Sequence, residues 1–307
     1  GGYYEIHNQG QLRWFADQVN NNGRTNINAR LTASFAMDGT EWTPIGKESQ
    51  PFKGTFDGNG KTITGLKCTD TSKEYVGLFG YANGANIQNV TVQDASFNGY
   101  QFIGGVCGYI EGGAITGCTT SGGTVSGSYD IGGIAGYANN ATVQRCVNSG
   151  KVTGSDSIGG IAGTAYQATV QDCGNTGAVI RTAATGNYGG IVGTATNAKA
   201  IQNCYNAYSD MAYPICATPD DANLSNCYYP VSSSSYGYDG TTAKTAEQFA
   251  SGEVAYLLQK PLDDAAEAGT TAEQVWGQKI DGNDKDSYPV LGGDKVYQTT
   301  PCTAGYS

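Results

Sequence analysis

The 307 residues carry a formal net charge of −10, a pI near 4.5, 14% charged residues and 46 glycines. That balance excludes nucleic acid and anionic membrane as partners, since both demand Lys/Arg patches, and no apolar run approaches the roughly 18–20 residues of a membrane span. Nine cysteines cannot all pair within one chain.

In chain order, the opening GGYYEI has neither initiator Met nor signal peptide and reads as an excised mature fragment. Residues 8–20, NQGQLRWFADQVN, place Leu12, Phe15, Ala16 and Val19 at helical spacing behind Asn8 as N-cap. This predicts a short helix that closes one end of the molecule. The segment FKGTFDGNGKTITGL holds Asp57-Gly58-Asn59-Gly60 and predicts strand, tight turn, strand.

From residue 76 a phrase returns five times: VGLFG (76–80), GGVCG (104–108), GGIAG (132–136), GGIAG (159–163) and GGIVG (189–193). Aligned on Gly77, Gly105, Gly133, Gly160 and Gly190, the copies lie 28, 28, 27 and 30 residues apart. A second phrase keeps step: NIQNV, AITGC, TVQRC, TVQDC, AIQNC and NLSNC, the last partnered by a degenerate YPICA (213–217). A fixed period of this length marks a solenoid, in which each repeat buries its apolar face against its neighbours. Within 131–154 three apolar-alternating runs, IGGIAG, ATVQRC and GKVT, alternate with turn-rich YANN and VNSG, and nothing shows helical spacing. The expectation is an all-β fold: a right-handed parallel β-helix of about six coils of 24–30 residues. Residues 1–67 are expected to be the N-terminal cap and first strands, 68–230 the repeat solenoid, and 231–307 a C-terminal cap.

The columns agree. Ile103, Ile131, Ile158 and Tyr188 align, as do Val106, Ile134, Ile161, Ile191 and Ile215, then Ile115, Val143, Val170, Ile201 and Leu224, then Val125, Val152 and Val179. Cys118, Cys146, Cys173, Cys204 and Cys227 share a column with Val90, so the position wants a small buried apolar group rather than a metal ligand. Asn148, Asn175 and Asn206 fall in register at one turn, and Asn89, Asn203 and Asn226 at another, where amides hydrogen-bond along the stack and tolerate unusual dihedrals. Residues 232–242 read as a connection to TAEQFASGEVAYLLQ, whose Thr245 and Gln248 form a capping-box pattern, followed by Trp276 and SYPVL (287–291).

The phrases GLFG, GVCG, GIAG, GIAG and GIVG resemble the GLUG motif, and the two ends resemble those of GLUG-repeat proteins, over roughly residues 3–292. The resemblance implies a bacterial secreted or cell-surface β-helical module, adhesin-like, and brings no catalytic residues. Cys107 in GVCG and the glycine-less YPICA depart from the motif.

β-Helices also carry polysaccharide lyases and glycoside hydrolases, which need paired carboxylates across the scissile bond. Asp130 and Asp156 precede successive GGIAG strands, but no HG or RxK element accompanies them, His7 stands alone in the N-terminal cap, and HExxH, GxSxG and P-loop motifs are absent. DGNDKD (281–286) has Lys285 where a calcium loop needs a ligand. No cofactor and no metal are expected. Tyr81, Tyr109 and Tyr137 occupy one position on three coils, with Tyr166 near the next equivalent. Such a row either covers the edge of the core or stacks sugar rings. The leading expectation is a non-catalytic adhesion or display module, monomeric as excised, with glycans or surface proteins as partners. The alternatives are a glycan-binding module using the tyrosine row, and a polysaccharide lyase or glycoside hydrolase.

Overall fold

The computed structural model describes residues 2–220, 222–232, 235–267 and 270–297. The chain divides into two compact units, Gly1–Ala243 and Lys244–Ser307.

The first unit is a parallel β-solenoid. Its broadest wall is a 16-stranded sheet, flanked by sheets of six, five and five strands. Among the described residues the walls of the repeat coils pair in parallel, and equivalent residues face one another: Ile103 pairs Ile131, Ile131 pairs Ile158, and Ile158 pairs Tyr188. The broad wall climbs through the levels at Tyr3–Ile6, Asn28–Leu31, Thr55–Thr64, Asn86–Gln93 and then every repeat to Leu224–Ser225, about eight turns. The coil count therefore exceeds the six expected from the repeat. Strand pairing is made by the backbone: Tyr3↔Asn28 and Ala29↔Phe56 continue the stack where neither phrase is present, and Phe56↔Ile87 joins it to the first NIQNV copy.

The three central coils, 101–126, 129–154 and 156–181, each hold five short strands rather than three. In one coil these are Gln101–Gly104, Cys107–Glu111, Ala114–Thr116, Thr119–Ser121 and Thr124–Ser126. One extra break falls at the doubled glycine and the other at a left-handed residue, Gly117, Arg145 or Asp172, and left-handed residues recur in columns both at breaks and within strands. One column is Tyr75, Phe102, Asp130 and Ser157; another is Asn89, Gly117, Arg145, Asp172, Asn203 and Asn226. A single left-handed residue bends the strand and redirects the side chains that follow. The FDGNGK segment is a third correction. Thr55–Thr64 runs as one strand against Asn86–Gln93, and Asp57–Lys61 is a bulge, with Asn59 and Gly60 left-handed, after which the parallel register resumes.

The bore is apolar. Val106, Ile134, Ile161, Ile191 and Ile215 are all buried in one stack, joined by bonds such as Ile134 N–H to the Ile161 carbonyl at 3.0 Å. The cysteine column is buried and unbridged. Each thiol donates to the carbonyl two residues back, as Cys146 Sγ does to Gln144 at 3.2 Å. Burial pushes the Cys118, Cys146 and Cys204 thiols well above their ordinary range. These are packing groups, so Cys146→Val should change stability by less than about 1 kcal/mol. A thermal melt reads this directly, and a severe loss would mean that the thiols do more than fill space.

The two repeat phrases interlock. Asn148 Nδ2 donates to Asn175 Oδ1 at 2.9 Å, and Asn175 Nδ2 to Asn206 Oδ1 at 2.9 Å, while Thr120 Oγ1 starts the ladder on Asn148 at 2.8 Å. All three asparagines are buried. Gly133, Gly160 and Gly190 face them across the bore: a Cβ on Gly160 would lie 2.4 Å from Asn175 Cγ and 2.2 Å from the Gly190 carbonyl oxygen. The doubled glycine is there to admit the amide ladder.

Helix α1 (Gln9–Asn20) starts at Asn8, whose Oδ1 accepts from Gln11 N–H at 3.0 Å, and buries Leu12, Phe15, Ala16 and Val19. These residues join the aliphatic core of the first unit.

In the second unit, Thr245 and Gln248 make the expected capping box on α2 (Ala246–Ala250). Helix α3 (Glu253–Ala265) follows, and Trp276–Gly277 pairs antiparallel with Val290–Leu291. Gln259, buried, ties the unit together by accepting from the Val275 and Trp276 N–H groups.

Candidate functional site: an outer aromatic groove

The sharp Gly-Gly corner sets two walls at an angle, and the outward side chains of both converge in one groove along the stack. One wall supplies the left-handed column Tyr75, Phe102, Asp130 and Ser157. The other supplies Tyr81, Tyr109, Tyr137, Thr164 and Thr194, which pair in register. By strand alternation Phe102 faces away from Ile103, which is buried in the bore. Its backbone is left-handed at φ 59, and its ring meets Tyr109 and Tyr137 edge-on at 5.2 and 5.7 Å. Tyr75, at φ 60, stacks on Phe102 at 5.1 Å. A bulky side chain held there costs about 1–3 kcal/mol, which the surrounding ring contacts offset.

The tyrosine row forms as three rings in register. Tyr81 and Tyr109 stack at 4.8 Å, and Tyr109 and Tyr137 at 5.0 Å with 8° between planes. Both faces of Tyr109 are thereby covered by its neighbours, so what the row offers outward is ring edges and hydroxyls. Tyr166 does not belong to the row. It pairs with Asn139, and Thr164 occupies the position after Tyr137, as the 27-residue spacing of Gly133 and Gly160 requires.

The row is wired to a polar strip. Tyr81 donates to Glu111 Oε2 at 3.2 Å, Asn83 Nδ2 donates to the same oxygen at 2.8 Å, and Asn139 Nδ2 donates to the Tyr109 hydroxyl at 3.1 Å. Partial burial raises all three phenols, Tyr137 to about 12, and the Glu111 carboxylate raises Tyr81 further. They remain neutral donors across the physiological range.

Toward the C-terminal coils the groove turns polar. Asp130 is buried and accepts from Thr164 Oγ1 at 2.5 Å and Gln101 Nε2 at 2.9 Å; burial pushes its carboxyl up. Asp156 accepts from the Ser157 and Asn187 N–H groups at 2.7 and 2.6 Å. Ser157 and Thr194 hydroxyls meet at 3.0 Å. Both carboxylates thus hold the backbone and its neighbours, while among the described residues no three His, Cys, Asp or Glu side chains gather as a metal site.

At its N-terminal end the groove opens into a cavity of about 240 Å³ lined by Lys47, Lys73, Glu74 and Tyr75, with Asn21, Thr43 and Pro44. Lys47 and Lys73 are exposed and make no ion pair among the described residues. Sequence reasoning missed Tyr75 and Phe102. The signal was the aligned position two residues before the first glycine of each phrase: EYVG, QFIG, YDIG, DSIG.

No family model matches this chain. A stretch of 69 residues is 38% identical to a protein of Evansella cellulosilytica that carries the provisional name Gly-rich membrane protein; the match spans 22% of this chain and 8% of that protein. In structure the chain is similar to a crystal structure from Bacteroides ovatus provisionally named as an immunoglobulin A1 protease. The TM-score is 0.67, at 23% identity, over 94% of this chain and 92% of that one. At that identity the likeness establishes the shared β-helical fold. No helix among the described residues is long and apolar enough to cross a membrane.

Proposed function

We propose that this chain is a non-catalytic module of a secreted or cell-surface bacterial protein, of the GLUG-repeat kind, acting in adhesion or display. The observation that supports this best is the outer aromatic groove: five rings, Tyr75, Tyr81, Phe102, Tyr109 and Tyr137, fixed in register on a stack of parallel strands. A preorganised aromatic surface loses little conformational entropy on binding, which is what a contact surface needs. Glycan recognition is the second reading. It is favoured by the 240 Å³ cavity, where the Tyr75 ring sits beside two free ammonium groups, a carboxylate and an amide.

The test is binding of the intact chain to a glycan array and to immobilised mucin and matrix proteins. Tyr75→Ala should weaken capture about tenfold, the scale of one lost aromatic contact with its area, in a variant whose circular dichroism is unchanged. Retained capture by a folded Tyr75→Ala variant would remove the groove as the contact surface. Release of reducing ends from polysaccharides by the pure protein would overturn the non-catalytic reading.

A further inference from the structure

The repeat is broken in one place. Strand Lys151–Gly154 is separated from Asp156–Gly159 by Ser155 alone, whereas one coil later six residues, Thr182 to Asn187, separate Val179–Arg181 from Tyr188–Gly189. In the following coil no strand forms between Ala207 and Ile215. In a solenoid, insertions that leave the stack intact collect on one face, which is often the binding face. Here the two irregular stretches, with strand Val179–Arg181, enclose a cavity of about 220 Å³ lined by Val179, Ile180, Arg181, Ala183, Tyr188, Tyr208 and Asp210.

The lining is poised but uncompensated. Arg181 stacks over the Tyr188 ring at 4.7 Å and donates one N–H to the Gly186 carbonyl at 2.8 Å. This fixes the guanidinium plane and leaves its other N–H groups to be used. Tyr188 is pinned in turn, its hydroxyl accepting from Ala212 N–H at 3.1 Å. Asp210 is exposed, and no ion pair joins it to Arg181 among the described residues, although both line the same cavity. Tyr208 is held through its backbone by Asn206, the end of the buried amide ladder: Asn206 Oδ1 accepts from Tyr208 N–H at 3.2 Å and Nδ2 donates to its carbonyl at 2.8 Å. The rigid core therefore positions a residue of the loop. Burial, and then the charge of Asp210, raise the Tyr208 phenol, which stays a neutral hydroxyl.

We propose that this cavity is a binding site for a neutral saccharide unit, with Arg181 donating to, and Asp210 accepting from, neighbouring sugar hydroxyls, while Tyr208 and Tyr188 border the ring. Vicinal hydroxyls are donors and acceptors at once, so they satisfy an opposite-charge pair held apart better than a simple anion or cation does. The volume suits one sugar ring, and the site is distinct from the aromatic groove.

The test titrates the intact protein with galactose, glucose, mannose, N-acetylglucosamine and N-acetylgalactosamine by calorimetry and saturation-transfer NMR. At least one sugar should bind, and Asp210→Asn and Arg181→Ala should each weaken it by about tenfold or more. Asp210 is exposed and in a loop, so its variant keeps the fold even if the arginine variant does not. Absence of binding by every sugar at about 10 mM, weak even by the standard of millimolar sites, would overturn the proposal. So would binding unaffected by Asp210→Asn, which would place the sugar at the groove, or binding of glycine in place of sugars, which would identify a zwitterion site.

Discussion

Ile161→Asp should unfold the centre of the solenoid. Ile161 is fully buried between Ile134 and Ile191, and its amide and carbonyl are both used in the ladder, so neither the side chain nor the backbone can swing out. The substitution loses the burial of an isoleucine, about 1.5–3 kcal/mol, and buries a carboxyl without a partner, at a further cost of about 2–7 kcal/mol. The sum rivals the whole stability of an ordinary domain, about 5–15 kcal/mol. A solenoid's stability is carried by interfaces between neighbouring repeats, so amide-exchange protection should disappear first in the coils around 131–193. The pH dependence has a definite sign. The buried carboxyl prefers its neutral form in the folded state, so its folded pKa lies above the unfolded one, and the penalty should shrink as pH falls from neutral toward about 4. A melt unchanged from the parent at pH 7 would contradict the assignment of this column to the bore.

Gly160→Ala should be nearly as damaging, for a different reason. Gly160 is not in the left-handed region, so alanine meets no dihedral penalty there. What it lacks is space. The added Cβ would lie 2.2 Å from the Gly190 carbonyl oxygen and 2.4 Å from Asn175 Cγ, and neither can yield, since one is backbone and the other is bonded above and below. Overpacking of this kind costs about 3 kcal/mol. Gly23→Ala is the contrasting case. Gly23 has φ 67 but nothing within 4 Å of a new Cβ, so only backbone strain of about 1 kcal/mol is expected. Equal melting temperatures for the two variants would refute the account of the doubled glycine as the partner of the amide ladder.

The candidate site was partly legible. Tyr81, Tyr109 and Tyr137 follow from counting along the period, and the same count puts Thr164, not Tyr166, next in line. Tyr75 and Phe102 were hidden because the position they share holds Asp130 and Ser157 in the next two coils, so no one residue type marks the column. Their backbone is left-handed as well, which a sequence shows only faintly for residues that rarely adopt it. That the rings cover one another's faces is likewise invisible in sequence, since it depends on the spacing and tilt of neighbouring coils.

By itself the sequence determined the parallel stack, its core columns with the buried cysteines, the asparagine ladder and the caps of α1 and α2, because a repeat that buries the same position in every coil writes its contacts as a period. Only the tertiary structure decided the extra coils at the N-terminal end, the five-strand coil, the bulge at Asp57–Lys61 and the cavity beside Arg181. Backbone pairing accepts almost any side chain, so coils without the repeat leave no periodic mark. A cavity made by two irregular stretches from successive coils depends on where the stack sets them side by side, which no spacing within either stretch records.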